Sequence, residues 1–283
     1  MPTQSHAIVE ASGDSDAIVT WIGHATVLIQ HRGINVLTDP MFSQLASPIS
    51  FAGPRRITQP AITIPELPPI HAVVISHDHY DHLDTASIKA LGDQPQYFVP
   101  LGIKKWMVRK GIAADKVTEL DWWDSEKVVV GQESIEITAT PAQHFSGRSL
   151  FNRDQTLWAS WSIAWPEYRV WFGGDTGYND VQFKEIGQRL GPYDLGIIPI
   201  GAYKPRWFMG AIHVDPAEAV KIHQDINAVQ SFGMHWGAFI LAGEGVLTPP
   251  LDLDAALDEA GVPRDAFVTY AVGETRRYAT EKE

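Results

Sequence analysis

Three histidines and two aspartates fall within six residues, His77-Asp78-His79-Tyr80-Asp81-His82, in a chain of 283 residues with 11 histidines in all. A solvated loop has no packing use for such crowding, and imidazoles this close repel one another on protonation. A bound cation removes that conflict. His77 and His79 have the same parity in an extended segment, so both side chains can reach one ion. Asp81 and His82 lie past a turn and can reach a second ion nearby. Imidazole suits zinc, and a mixed nitrogen and carboxylate set suits iron or manganese as well. The chain has no cysteine. Disulfides, thiolate metal sites and a cysteine nucleophile are therefore excluded, and any ion must be held by His, Asp and Glu.

A two-metal site needs further ligands from other segments. His144 follows IEITAT in TPAQH, Asp175 follows RVWFGG in GGDTG, and His235 follows AVQSFG in GMHWG. Each ends an apolar run and has Gly or Pro close by, which lets the backbone turn toward a bound group. Taken singly, each could be a hydrogen-bonded core residue or a cap. Beside the histidine-rich hexapeptide, a ligand role is the better reading. Spacings of 65 residues from His79 to His144 and 60 from Asp175 to His235 leave room for one or two strand–helix units each.

Two cations bring a particular chemistry. Metal binding lowers the pKa of water from 15.7 toward about 7, so a bridging hydroxide exists at neutral pH. It can attack an electrophilic phosphorus or carbonyl carbon while the ions neutralise charge on the non-bridging oxygens. Asp81 and Asp175 would then be catalytic as well as ligating. A leaving alkoxide needs a proton. His213 in AIHVD is a candidate donor, just before a helix N-terminus where an anion is also favoured; it could equally be a buried His that orients its loop. His24 in GHAT could hydrogen-bond a ligand from outside or serve only the core. Tyr178 after DTG and Trp207 in KPRWFM are candidate substrate contacts. Trp207-Phe208-Met209 and Phe239-Ile240-Leu241 could grip an acyl chain or graze a bilayer, or simply pack. His6, His31, His71 and His223 read as surface or structural positions.

Something must position these residues. The pattern predicts one strand over 17–30 that returns through 34–38, then an ordered proline-rich loop over 40–69. HAVVIS (71–76) reads as a buried strand running into the hexapeptide. Asp84 reads as the N-cap of a helix through Leu91. Strands follow at 96–100 and near 116–120, 126–130 and 134–140, with a helix near 103–110. Residues 158–165 and 169–174 read as a hairpin, 180–190 as a helix, 194–200 and 228–233 as strands, and 252–260 as a short helix. Asp215-Pro216-Ala217-Glu218 is a helix start. Strand runs broken by helices fit two sheets with helices outside. A loose arm over 1–18 and one domain over 19–283 are expected.

Composition narrows the partners. Acids outnumber bases 34 to 22, a net charge of −12. That argues against nucleic acid, whose binders carry a basic excess, and against docking on an anionic membrane by charge alone. The first 16 residues lack the basic and apolar regions of a secretory signal. No run of 18 apolar residues predicts a transmembrane helix. The expected compartment is the cytoplasm, any membrane contact being peripheral at the inner face. A homodimer is an admissible assembly.

The hexapeptide, followed by a lone His, a lone Asp and a last His, resembles the metallo-β-lactamase superfamily. The segments WIGHATVLI, LTDPMFS, ASPISFAGPRR, ELPPIHAVVISHDHYDHLD, ELDWWD, FGGDTGY, IPIGAYKPRWFM and HVDPAEAV are similar to the N-acylphosphatidylethanolamine-hydrolysing phospholipase D family, in that family's order, over roughly residues 19–278. The resemblance implies a four-layer αββα sandwich, of the α+β or α/β class: two mixed β-sheets face to face between outer helices, with the site at one edge. It implies that His77, His79 and His144 bind one zinc, that Asp81, His82 and His235 bind another, and that Asp175 bridges them. It implies cleavage of a phospholipid phosphodiester to phosphatidic acid and an N-acylethanolamine. A soluble phosphodiesterase or a sugar-phosphate lactonase of the same superfamily is the alternative.

Overall fold

The computed structural model describes residues 16–49, 51–149 and 151–279. His6 and positions 1–15 of the expected arm lie outside the described residues, and its last two residues, Ala17 and Ile18, stand in the first strand. The chain opens with β1 (Ala17–Gly23), β2 (Thr26–His31) and β3 (Ile34–Thr38), paired antiparallel in sequence. Two strands thus stand where one is expected over 17–30. The break falls at Gly23 and His24, whose φ angles are +134° and +57°, values that end an extended run. The proline-rich stretch is a loop, as expected. Its described residues include a 3-10 turn at Ile64–Glu66 and are pinned by the bridges Leu45–Arg55 and Arg56–Phe239.

Then come β4 (Ala72–Val74), α1 (Thr85–Leu91), β5 (Gln96–Pro100), α2 (Lys104–Arg109) and β6 (Val117–Leu120). The second half runs β7 (Ser125–Val130), β8 (Glu133–Thr140), β9 (Ser160–Ala164), β10 (Arg169–Phe172), α3 (Gln182–Leu190) and β11 (Tyr193–Pro199). It continues through α4 (Arg206–Met209), α5 (Pro216–Asp225), β12 (Ala228–Met234), α6 (Thr248–Ala260), β13 (Phe267–Thr269) and β14 (Thr275–Tyr278). Both expected helix starts are present. The Asp84 carboxylate accepts from the backbone of Ala86 and Ser87, and Asp215 and Glu218 form a capping box. α6 begins at Thr248 rather than 252, because Pro249 and Pro250 fall in its first turn, where a missing N–H costs nothing. The short elements α4, β13 and β14 carry too few residues to show a period, and the sequence does not predict them.

Among the described residues two seven-stranded sheets result, ordered β14-β1-β2-β3-β4-β5-β6 and β13-β12-β11-β10-β9-β8-β7. Each is mixed: the first is parallel from β3 to β6, the second from β10 to β13, and the rest is antiparallel. Val27, Ile29, Val36 and Val74 of one sheet share a core with Ile137, Trp161, Val170, Ile197 and Phe232 of the other. Alternate residues Leu28, Leu37 and Val73 face outward and pack with Ile88, Leu91 and Met107 of α1 and α2. On the other side α5 packs on β11 and β12, with α3 and α6 against it. Both faces of each central strand are therefore covered, which is why these strands read as continuous apolar runs. Among the described residues no helix is long and apolar enough to cross a membrane.

Strand direction decides where the site lies. The pairings make β1, β3 and β4 point one way in the first sheet, and β8, β10, β11 and β12 share one direction in the second. Their C-terminal ends carry His24, Asp39, His77, His144, Asp175 and His235, and all meet at one edge of the sandwich.

Gly187 shows how tightly the outer layer is fitted. A Cβ there would lie 2.2 Å from the Asp225 carbonyl oxygen and 2.9 Å from Ile226 Cα. Alanine gains about 1 kcal/mol of helix propensity, but overpacking against immovable backbone costs about 1–3 kcal/mol. Gly187→Ala should therefore lower the urea midpoint; a raised midpoint would show that α3 and the end of α5 are loosely packed.

Candidate metal centre

The hexapeptide leaves β4 through Ile75 and Ser76 and turns at once, with the His79 carbonyl accepting from the backbone of His82 and Leu83. The turn splits the side chains into two groups. His77 Nε2 lies 2.8 Å from His79 Nδ1, and His144 Nε2 lies 3.3 Å from the same atom. His77, His79 and His144 thus form one donor group, in which His77 and His79 are the pair that their parity brings together. Asp81, His82 and His235 form the second, with His24 beside them. His82 Nε2 is 3.1 Å from His235 Nε2, and Asp81 Oδ2 is 3.0 Å from His24 Nε2.

Asp175 faces both groups. Its Oδ2 is 3.9 Å from His77 Nε2, 3.9 Å from His144 Nε2 and 3.1 Å from His82 Nε2, while its Oδ1 is 3.1 Å from His235 Nε2. Asp175 Oδ1 is buried and accepts no well-aligned hydrogen bond. Burial opposes the charge on this carboxylate, but His235 and His82 outweigh it and hold its pKa well below the ordinary range. Asp81 is held low in the same way, His82 acting first. Conversely, Asp175 and Asp81 keep His235 up at about 9 against the effect of burial. The pocket therefore favours positive charge between its two carboxylates.

A residue without a role in the sequence reading organises the ring nitrogens. Asp39 is fully buried at the end of β3. Its Oδ1 accepts from Ser76 N at 2.7 Å, and its Oδ2 accepts from Ser76 Oγ at 2.6 Å and from His82 Nδ1 at 2.6 Å. The Ser76 hydroxyl spends its only proton on Asp39, so it must accept from His77 Nδ1, 2.9 Å away. His144 Nδ1 donates to the Ile212 carbonyl at 2.8 Å. In His77 and His144, held neutral by burial, the outer nitrogen carries the proton and Nε2 is left with a lone pair toward the cluster; in His82 the Asp39 carboxylate holds the Nδ1 proton, so Nε2 is the nitrogen that would give up its proton to a bound ion. Asp39 bears the same signal as His144, Asp175 and His235: a polar residue ending an apolar strand close to glycine or proline.

Three of these residues sit in the left-handed region: His24 at φ +57°, Asp39 at +31° and His235 at +64°. Such backbone is costly outside glycine and persists where surrounding contacts hold it. His235 N donates to the His24 carbonyl at 3.1 Å. The His235 carbonyl in turn lies where a Cβ on Gly201 would be, 2.1 Å away, so only glycine fits beside it.

His213 is brought in as well. Its Nδ1 lies 4.0 Å from Asp175 Oδ2 and has no hydrogen bond. Burial pushes its pKa down to about 4, with Asp175 opposing. The Arg206 guanidinium donates to the His213 carbonyl and pairs with Asp215 and Glu218, which fixes this segment at the head of α5. The structure does not bring Tyr178 or Trp207 into the cluster. The Tyr178 ring stacks on Phe183 and its hydroxyl donates to Asp225 at 2.8 Å. Trp207 is 86% exposed on α4, against Phe208.

Replacing Asp39 with alanine frees the tautomers of both His77 and His82. Partners that orient metal-binding histidines are worth about 10- to 100-fold in metal affinity. A zinc competition titration of Asp39→Ala should show a loss of that size, and unchanged affinity would mean that Asp39 does not govern the ring nitrogens.

Comparison with known proteins agrees with this geometry. The profile of the beta-lactamase superfamily domain matches residues 34–236. The chain is 42% identical over 282 residues to N-acyl-phosphatidylethanolamine-hydrolyzing phospholipase D 1 of Caenorhabditis elegans, covering 97% of this chain and 79% of that one. It is 37% identical over 86% of its length to the mitochondrial N-acyl-phosphatidylethanolamine-hydrolyzing phospholipase D of Saccharomyces cerevisiae, and spans 52% of that protein. It is 44% identical to an uncharacterized Mycobacterium tuberculosis protein, of which it spans 61%. Among solved structures, the fold matches an isothiocyanate hydrolase from Delia radicum gut bacteria, with a TM-score of 0.71 at 20% identity over 92% of this chain and 99% of that one. It also matches a metallo hydrolase of Ignicoccus hospitalis, with a TM-score of 0.66 at 20% identity over 93% and 98%. Profile, relatives and fold converge: this chain belongs to the metallo-β-lactamase superfamily, as a metal-dependent hydrolase similar to the N-acyl-phosphatidylethanolamine-hydrolyzing phospholipases D.

Proposed function

We propose that this protein is a dinuclear phosphodiesterase that cleaves N-acylphosphatidylethanolamine-type phospholipids to phosphatidic acid and an N-acylethanolamine. The observation that carries the dinuclear reading is the Asp175 carboxylate, set between two groups of nitrogen donors. The choice of phospholipid follows the 42% identity to the nematode phospholipase.

The donor set fits two cations. Candidate ligand atoms of His77, His79 and His144 converge, and so do those of Asp81, His82 and His235. The unsatisfied Asp175 Oδ1 supports the same reading. His77, His79 and His144 would hold one ion, and Asp81, His82 and His235 the other, with Asp175 shared. Two zinc ions suit this set, and iron or manganese suit it too. Bound there, the ions supply Lewis acidity and a water ionised near neutral pH.

The chain's own residues do the rest. Asp39 and Ser76 hold His77 and His82 in the required tautomer. The unpartnered Nδ1 of His213, facing Asp175, supports a role for this ring as proton donor to the leaving alkoxide, for which the anionic phosphodiester must first raise its pKa from about 4. Trp207 and Phe208 precede His213, and Ile240 follows His235. All three are exposed, and they offer an acyl chain an apolar surface on the segments that bear the site. Membrane contact, on this reading, is peripheral and made there.

The test gives the zinc-loaded protein an N-acylphosphatidylethanolamine in detergent micelles, alongside a soluble chromogenic phosphodiester and a lactone, with products read by mass spectrometry. Phosphatidic acid and free N-acylethanolamine are expected. Asp175→Asn should keep the fold and lose roughly 10³-fold in turnover, the scale of several kcal/mol of metal-based stabilisation. Turnover of the small diester without the lipid would remove the membrane role. Opening of the lactone alone would overturn the phosphodiesterase reading, and an undiminished Asp175→Asn variant the dinuclear one.

A further inference from the structure

The hexapeptide that bears four of the candidate ligands is only partly covered: His79, Tyr80 and Asp81 are half-buried. On its outer side two clefts of about 700 and 550 Å³ open, and both are lined by Tyr80, Trp106 and Arg148. On this side a polar clasp adds to the packing that holds the turn.

Arg148 is the centre of the clasp. Its Nη1 donates to the Asp78 carbonyl at 2.6 Å and to the Leu83 carbonyl at 2.7 Å, which brackets the turn at both ends. Its guanidinium lies over the Tyr80 ring, 4.0 Å from the centroid, and 4.8 Å from that of Trp106 on α2. The planar cation is thus held between two aromatic faces, a contact that favours arginine. The link is reciprocal. The Tyr80 hydroxyl donates to the Arg148 carbonyl at 2.6 Å, and Gly147 N donates to Asp78 Oδ1 at 2.7 Å. Arg148 also lies four residues beyond His144. One side chain and two supporting hydrogen bonds therefore tie the segment of His77, His79, Asp81 and His82 to the segment of His144.

We propose that Arg148 is a positioning residue. It touches none of the seven candidate ligands' donor atoms. It sets the distance between the two segments, so that His144 meets His77 and His79 at one point while Asp81 and His82 face the other side of Asp175. This inference rests on the metal-centre reading above.

The test titrates the metal-free full chain with cobalt(II) and follows visible absorption, which reports affinity, stoichiometry and coordination geometry without reference to turnover. Arg148→Met keeps length and apolar bulk but removes both carbonyl contacts. Water in the clefts can solvate the freed carbonyls, so the metal-free chain should keep its circular dichroism spectrum. Cobalt binding should weaken about 10- to 100-fold, with a changed band shape, as expected for a lost orienting partner. Arg148→Lys retains a cation that can reach the carbonyls and should recover part of the loss. An Arg148→Met variant that binds cobalt as the parent does overturns the proposal, as does a lysine variant no better than the methionine one. Should the methionine variant fail to fold, Tyr80→Phe decides: it cuts one hydrogen bond, worth about 2- to 10-fold, and unchanged cobalt binding overturns the proposal. A parent chain that takes up no cobalt overturns the metal-centre reading itself, and this inference with it.

Discussion

Two carboxylates and a ring of imidazoles share a buried edge of this protein, and their charges have to be balanced inside it. Asp81 and Asp175 are ionised there, held by His82 and His235. His77 and His144 are pushed toward the neutral form, chiefly by burial and then by their neighbours. An arrangement with two fixed negative charges and an excess of inward lone pairs is stable only if positive charge sits among them. In the chain alone, protons on His82 and His235 fill that part. Bound metal would fill it better, since an ion meets several ligand atoms at once.

The rest of the fold serves that constraint. Separate strands must deliver donors to one place, and mixed sheets do so because their co-directional strands end at one edge. The turn between β1 and β2 adds His24 from a strand that also ends there. Delivery alone is not enough, because an imidazole presents a lone pair on one nitrogen only if the other is protonated. Asp39, Ser76 and the Ile212 carbonyl make that choice for three rings. Arg148 then spans the ends of the turn from outside. Specificity thus sits in layers, donors within and hydrogen-bonding partners around them.

Tight backbone approach is the cost of this convergence. His24, Asp39 and His235 adopt left-handed backbone, and Gly201 leaves room for the His235 carbonyl. Gly174, at φ +57°, stands next to Asp175, and a Cβ there would come within 2.4 Å of Ser76 Cβ. The glycines in GGDTG and IPIGAY therefore mark places where two strand ends come closer than any side chain allows.

The donor set was legible in the amino-acid sequence because its chemistry is local. Three histidines in six residues, and polar residues that end apolar strands beside Gly or Pro, announce themselves without a fold. The central strands and capped helices were legible too, since two-sided burial writes continuous apolar runs and Asp215-Pro216 starts a helix by local hydrogen bonding. Asp39 carried the same signal as the other strand-end residues, yet nothing in the sequence said which histidines it would meet. The edge strands β13 and β14 are too short to show a period, and they form because an open sheet edge accepts them. The break at His24 depends on a backbone angle that the surrounding strands impose. Tyr178 lies next to the cluster in sequence but turns away, because Phe183 and Asp225 offer its ring and hydroxyl better partners. Residue types and their short-range spacing therefore determined what chemistry this chain can do. Only tertiary structure decided which nitrogen each imidazole presents, how the donors divide around Asp175, and what braces them, because those depend on contacts between segments tens of residues apart.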